Sequence, residues 1–404
     1  MSRQLTRTSK QSAKDGDWGE IKSFVEVKPN SATDLTQIIA AYQGERDIRV
    51  PKGNYAYAEA DLPINITEDG FVLDGTPETN IYHSGTANPA AETPIFNIHN
   101  HGSRVYDFHF KNFKSRPSYL AGIDYPNRTL FRIEGMFGGL IENVRSHDNG
   151  HFIHMFTDAT HQNRRLLVNK VIHYYNCGYV FYGEATGYAA GSPADVGALH
   201  FRSVWQHNDL FAQRHTGSAT PHAASGGYHL AGGDGGLAVS FSSVECVNQY
   251  GIHVEHGTAG SGSANGQLFS NCTIEKPALG SDVGGERHQL TNCMFATSSV
   301  DGLILRSSAK GNRLVGCNFR DNSFDNIGVY SGVKLVDVLN ASFVGCGSYN
   351  QAGANKYQHY GFEETGTSDY NGYVGCATIN IADVAINVFA ANSKKDANNN
   401  QFRA

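Results

Sequence analysis

Short runs in which apolar and polar residues alternate recur along most of this chain. Examples are 178–184 (Gly-Tyr-Val-Phe-Tyr-Gly-Glu), 251–256 (Gly-Ile-His-Val-Glu-His), 302–306 (Gly-Leu-Ile-Leu-Arg) and 326–330 (Asn-Ile-Gly-Val-Tyr). A period of two marks a half-buried strand, with successive side chains on opposite faces. Further strand-like runs fall at 71–75, 80–83, 95–99, 105–110, 130–133, 139–144, 150–156 and 166–175. Helical spacing is convincing in one place, residues 35–42 (Leu-Thr-Gln-Ile-Ile-Ala-Ala-Tyr), preceded by Ser31 and Thr33 as candidate N-caps. The pattern therefore predicts an all-β chain with one helix near its start.

A second periodicity lies over the first. Cys246, Cys272, Cys293, Cys317, Cys346 and Cys376 sit in similar settings, among them Ser-Asn-Cys, Thr-Asn-Cys and Val-Gly-Cys, and recur every 21 to 30 residues. Cys177, in Tyr-Asn-Cys-Gly-Tyr, reads as an earlier member of the series. A repeat of this length marks a solenoid or a propeller. Each unit holds a short β-prone run, a polar bend and a second alternating run. Stacked coils of that kind make a parallel β-helix, with cysteines packed as small hydrophobes at an inward bend.

These repeats resemble the right-handed parallel β-helix proteins of the pectate lyase and viral tailspike type, in which an inward ladder, often of asparagine, lines one bend. The helix at 35–42 followed by 47–55 (Asp-Ile-Arg-Val-Pro-Lys-Gly-Asn-Tyr) is similar to the entry segment of many such chains. A helix there would cover the first coil, whose open end otherwise exposes core and strand edges. The expected fold is a single-stranded right-handed parallel β-helix over 31–390 with an N-terminal capping helix. A polar segment at 1–30 precedes it and a polar tail at 391–404 follows. The resemblance further implies a homotrimer, a polysaccharide substrate and an extracellular or virion-associated location.

Composition narrows this picture. Gly numbers 45 of 404 residues, which many tight bends require, and charged residues make up 17%, below the usual ~25%. The formal net charge of −6 gives no footprint for nucleic acid. Seven cysteines without a C-x-x-C pair read as free core thiols rather than a metal knuckle or redox pair. Neither a signal peptide nor a membrane-inserting run is found in the sequence. No cluster of three acids points to a Ca²⁺ site, so no metal or cofactor is expected.

Alternation also sorts candidate chemistry. The outward positions of the runs that follow the bends carry Tyr182, Glu184, His253, Glu255, Arg306 and Tyr330, with His229 joining them if its run lies in the same sheet. His151 and His154 fall on opposite phases, and either can face outward; His154 is taken as a substrate-binding candidate. Rings that stack on sugars, beside carboxylates and imidazoles that take hydroxyls, make a glycan-binding face. Three loops rich in small residues, at 183–197, 216–227 and 257–266, would wall it.

Two mechanisms compete on that face. Glycoside hydrolysis needs two carboxyls flanking the bond, for which Glu255 and Asp234 (in Gly-Gly-Asp-Gly-Gly) are first choices, with Glu184 and Glu245 in reserve. β-Elimination on a uronate polymer needs a base, an acid and a cation. His229 or His253 with a tyrosine, and Arg306 as carboxylate clamp, would supply them. The leading expectation is a polysaccharide depolymerase acting as a glycoside hydrolase. Behind it stand a polysaccharide lyase, a noncatalytic glycan-binding or structural β-helix, and an intramolecular fructosyl transferase.

Overall fold

A computed structural model describes residues 24–26, 47–57, 60, 62–83, 89–99, 105–116, 127–147, 150–157, 163–174, 177–185, 199–207, 225–231, 236–255, 266–306, 310–351, 357–382, 386–387 and 393–395. Their strands stack in parallel into one sheet of 22 strands and one of 12. Among the described residues no α-helix occurs, and the helix expected at 35–42 lies outside them. The chain is a right-handed parallel β-helix.

One downstream coil shows the construction. Leu268–Ser270 and Thr273–Glu275 belong to the large sheet and Asp282–Val283 to the small one. In the next coil Leu268 pairs with Gln289, Thr273 with Met294 and Asp282 with Ile304. The two large-sheet strands of a coil are separated by one residue in the left-handed region followed by an inward residue. That left-handed position is filled by Asn271 (φ 52°), Asn292 (52°), Gly316 (64°), Gly345 (61°) and Gly375 (61°). Asn and Gly tolerate this conformation best, which is the physical origin of the Asn-Cys and Gly-Cys dipeptides. In the long upstream strands Val105–Arg116 and Met136–His147 the same register position is Asn112 and Asn143, and Asn143 Nδ2 donates to Asn112 Oδ1 at 2.8 Å.

All seven cysteines are free and buried, and five of them form the expected thiol ladder. Each of those five donates its S–H into the preceding coil: Cys272 to Val239 O, Cys293 to Phe269 O, Cys317 to Leu290 O, Cys346 to Leu314 O and Cys376 to Phe343 O, at 3.3–3.6 Å. The other two depart from the expectation. Cys246 follows Ser243–Glu245 and so sits one bend later in the coil, while Ser242 holds the ladder register. Cys177 precedes Tyr179–Ala185, a strand of the small sheet. Similar local sequence at two kinds of bend produced the false extension of the series.

Inside the solenoid, aromatic rings stack from coil to coil. Phe96 lies 5.5 Å from Phe131, Phe295 5.4 Å from Phe319, and Phe343 5.0 Å from Tyr373. A buried polar column runs beside them. Leu237 N–H donates to Gln267 Oε1, Gln267 N–H to His288 Nδ1, His288 N–H to Asn312 Oδ1 and Ala341 N–H to Asn371 Oδ1, at 2.8–3.1 Å. These side chains satisfy backbone donors that the bend removes from the strand ladder, a requirement for burying them.

Candidate active site on the small sheet

The register of the small sheet determines which side chains become neighbours. Pairing runs Asn65–Asn97–Arg132–His154–Tyr182–His229–His253–Asp282–Ile304–Lys334–Glu363–Asn387 along one outward column. Adjacent parallel strands lie ~4.8 Å apart, so each of these positions neighbours the next. A second column, two residues along, reads Glu134–Phe156–Glu184–Ala231, and Glu255 follows the paired Val254 beside Ala231 with its N–H on Leu230 O.

His154 is the most tightly held of these groups. Its Nδ1 lies 2.8 Å from both carboxylate oxygens of Glu92, and its Nε2 lies 3.3 Å from Glu184 Oε2. Burial alone would raise the Glu92 pKa. Hydrogen bonds from His154 and Thr129 and the charge of His154 outweigh that and bring it down to about 2. Arg132 binds Glu134 through Nε at 2.6 Å and reaches Glu92 at 3.9 Å. His151, just before the strand Ile153–Thr157, accepts the Tyr179 N–H on Nδ1 at 3.0 Å and stacks on Tyr182 at 5.0 Å. Burial, helped by the charge of His154, pushes His151 down to about 4, so the ring is neutral at pH 7.

Tyr182 stands at the centre, edge-on to His154 at 5.1 Å and to His229 at 4.8 Å. Its hydroxyl pKa is raised by burial first and then by the charges of Glu184, Glu255 and Glu92. Beyond it His229 Nε2 lies 2.9 Å from Glu255 Oε1, and the His229 and His253 rings are 4.4 Å apart. Tyr250 stacks on His253 at 4.3 Å. Tyr179, 5.1 Å from His229, lies flat over Gly226, where a Cβ would come within 2.1 Å of its ring. Asp282 ends the cluster, its Oδ2 accepting from Arg306 Nε at 2.6 Å.

The structure thus brings together Tyr182, Glu184, His229, His253, Glu255, Arg306 and His154, all expected from the sequence, and settles the phase of 150–156 with His154 outward. Tyr330 does not join them: 326–331 forms turns, and that coil's strand is Val333–Val336, whose Lys334 takes the column position. The Gly within 326–330 broke the alternation there. Glu245 lies in the large sheet, with Oε1 accepting from Ser243 Oγ. Asp234, and most of the three loops, lie outside the described residues.

Sequence reasoning missed Arg132, Glu134, Glu92, Tyr179, Tyr250 and Asp282. Arg132 and Glu134 had a signal, the alternation Phe-Arg-Ile-Glu of Phe131–Glu134. Glu92 had none, since it reaches His154 from an irregular stretch, and Asp282 sits in a strand of two residues, too short to show a period.

No protein-family model matches the chain, and no curated protein matches it. Solved structures do. The A-module of mannuronan C-5 epimerase AlgE4 from Azotobacter vinelandii superposes with a TM-score of 0.62 at 13% identity, covering 91% of this chain and 96% of that one. The AlgE6 A-module of the same organism gives 0.52 at 14% identity, covering 90% and 93%. Tailspike protein 3 of bacteriophage CBA120 gives 0.48 at 13% identity, covering 89% of this chain and 58% of that one. At these identities the likeness is one of fold.

Proposed function

We propose that this chain is a glycoside hydrolase that cleaves an extended polysaccharide laid along the outward columns of the small sheet. The observation that carries the reading is the pair Glu184 and Glu255 flanking Ala231 in the middle of the aromatic and imidazole cluster. Two strand spacings put their backbones about 10 Å apart, and the small side chain between them leaves an open slot. Glu255 leans toward that slot through its contact with His229, and Glu184, held on the other side by His154, has to turn toward it to bring the carboxyls within the roughly 6.5–9.5 Å used by inverting glycosidases.

The surroundings support a division of roles. Glu92 is ionised and takes the Nδ1 side of His154. A hydrogen bond at Nε2 then needs a proton either on the ring or on Glu184, so a proton is shared between His154 and Glu184. Glu184 is the general acid. Glu255, held through His229, is the base that activates water. Tyr182 and Tyr250 offer ring surface to the sugars on either side.

Charge favours a neutral glycan over a polyuronate. Glu92, Glu134, Glu184, Glu255 and Asp282 face the groove, and Arg132 and Arg306 are each already paired with one of them. β-Elimination needs a cation for the substrate carboxylate, and these arginines are committed. That two modules of this fold are mannuronan epimerases supports a glycan groove on such a scaffold, while the acid-rich face here supports a different reaction on it.

The test is a panel of neutral and acidic polysaccharides in which reducing ends, ultraviolet absorbance and product anomer are followed together. Reducing ends without absorbance, on a neutral polymer and with inversion at the anomeric carbon, are expected. Absorbance from unsaturated uronates would replace the hydrolase with a lyase. Glycan binding without new ends would leave a noncatalytic binding protein.

A further inference from the structure

His229 and His253 are register partners on adjacent strands, and Glu255 follows His253 by two residues on the same face. Two donors on one strand and a third on its neighbour converge on a point above the sheet. One ligand atom of each of the three lies within 4.8 Å of those of the other two. Around a tetrahedral ion with bonds of about 2.0–2.2 Å, donors stand roughly 3.3 Å apart, so only small side-chain movements separate this arrangement from a closed site.

We propose that His229, His253 and Glu255 form a binding site for a divalent transition-metal ion of the Zn²⁺ class. Two imidazoles and one carboxylate suit zinc and its neighbours, whereas Ca²⁺ and Mg²⁺ prefer sets made entirely of oxygen. The rings are held in place before any ion arrives. Tyr250 stacks on His253, and the edges of Tyr179 and Tyr182 meet His229. His229 already turns Nε2 toward the Glu255 carboxylate at 2.9 Å, so that nitrogen faces the point where an ion would sit. Three protein ligands leave a fourth position open to the groove, the arrangement that distinguishes a reactive or exchangeable metal site from a structural one.

This site departs from the sequence expectation of no metal, because its donors come from two coils and have no common spacing along the chain. It also bears on the hydrolytic reading without resting on it: an ion bound here takes Glu255 away from water activation.

The full chain, stripped with a chelator and kept free of glycan, is titrated with Co²⁺ under visible absorption and with Zn²⁺ under calorimetry. One equivalent is expected to bind at micromolar concentration or tighter, with the intense visible bands of a four- or five-coordinate cobalt site that Zn²⁺ bleaches and Ca²⁺ does not. His253→Gln and Glu255→Gln should each weaken binding at least about 100-fold, with His154→Gln retaining it. Glu255→Gln changes one atom at a half-exposed position, so it reads the site even if a histidine variant misfolds. Absence of binding by the wild-type chain would overturn the proposal, as would binding that survives in both His253→Gln and Glu255→Gln. Because no substrate is present, failure here and failure of the hydrolase assay are separate results.

Discussion

The outward column of the small sheet changes character halfway along. From Arg132 to Asp282 it is charged, imidazole or aromatic at every coil, whereas Ile304, Lys334, Glu363 and Asn387 continue it with a Lys334–Glu363 contact at 3.7 Å and a hydrogen bond from Ser331 to Glu363. The backbone register is the same in both halves. Upstream strands are joined through connections of 13 and 18 residues at 186–198 and 208–225, and downstream connections run to at most 12, at 321–332 and 350–361. A regular solenoid thus supplies the geometry throughout, and chemistry is concentrated where the coils are longest. Inward positions specify the fold, and outward positions on one sheet carry the proposed site.

The largest expected effect tests that division directly. Glu184→Gln and Glu255→Gln should each lower polysaccharide hydrolysis by about 10²–10⁴-fold, the usual contribution of a positioned acid or base. Glu245→Gln, on the large sheet, should leave it unchanged with the same thermal stability. Reducing-end release at saturating substrate measures all three. If Glu245→Gln fell as far as the other two, the reaction would not belong to the small-sheet face, and the contrast between faces would collapse.

Much of that contrast was legible in the sequence, for a definite reason. Where a strand keeps strict alternation, as in 178–184 and 251–256, the outward residues follow from the period alone, and Tyr182, Glu184, His253 and Glu255 were found that way. The Asn-Cys and Gly-Cys pairs announced a repeated left-handed bend, and the bend announced the solenoid. What the sequence hid was anything set by a contact between coils. Glu92 meets His154 across 62 residues from a stretch without period. Cys246 resembles its ladder neighbours locally yet occupies another bend, because register is fixed by strand pairing and not by motif. At 326–330 a glycine in an alternating run was a turn residue, and Tyr330 went with it.

Acid should separate the folded state from the unfolded one in both halves. Burial holds His151 and His288 at about 4 and His173 at about 3, against an ordinary value of 6.5. The unfolded chain therefore takes up these protons first. Stability is complete above pH 6.5 and drains as pH falls toward 4, by on the order of 3 kcal/mol for each of His151 and His288. Glu92 acts in a lower window: its folded value of about 2 lies below 4.5, so its contribution is full above pH 4.5 and is lost between there and about 2. Urea midpoints should be flat from pH 8 to 7 and decline steadily from 6.5 to 4. Gln at position 288 can still accept the Gln267 N–H, so His288→Gln should remove part of the decline while keeping the fold. An unchanged slope in that variant would mean the downstream scaffold is not acid-sensitive and the imidazoles near the groove carry the whole effect.

The smallest effect concerns the left-handed bend. Downstream it is held by Asn271, Asn292, Gly316, Gly345 and Gly375, whereas upstream the same register includes Lys170 (φ 53°), Ser203 (54°) and Phe241 (51°). L-residues other than Asn, Asp and Gly incur about 1–2 kcal/mol there. At Gly345 a Cβ would meet nothing within 4 Å, so Gly345→Ala tests backbone conformation without packing. It should destabilise by about 1 kcal/mol, less than the full strain because alanine also restricts the unfolded chain. Phe241 is 59% exposed, so its ring contributes little burial to offset the strain. Phe241→Gly should therefore be neutral or stabilise by up to about 1 kcal/mol, the opposite sign at an equivalent position. Matching urea-denaturation curves for the two variants give the answer. Opposite signs would show that the coils near the groove tolerate backbone strain that the downstream coils avoid by residue choice. A clear loss in Phe241→Gly would show instead that the exposed ring makes contacts worth more than the strain, and the two halves would then differ in surface packing rather than in bend quality.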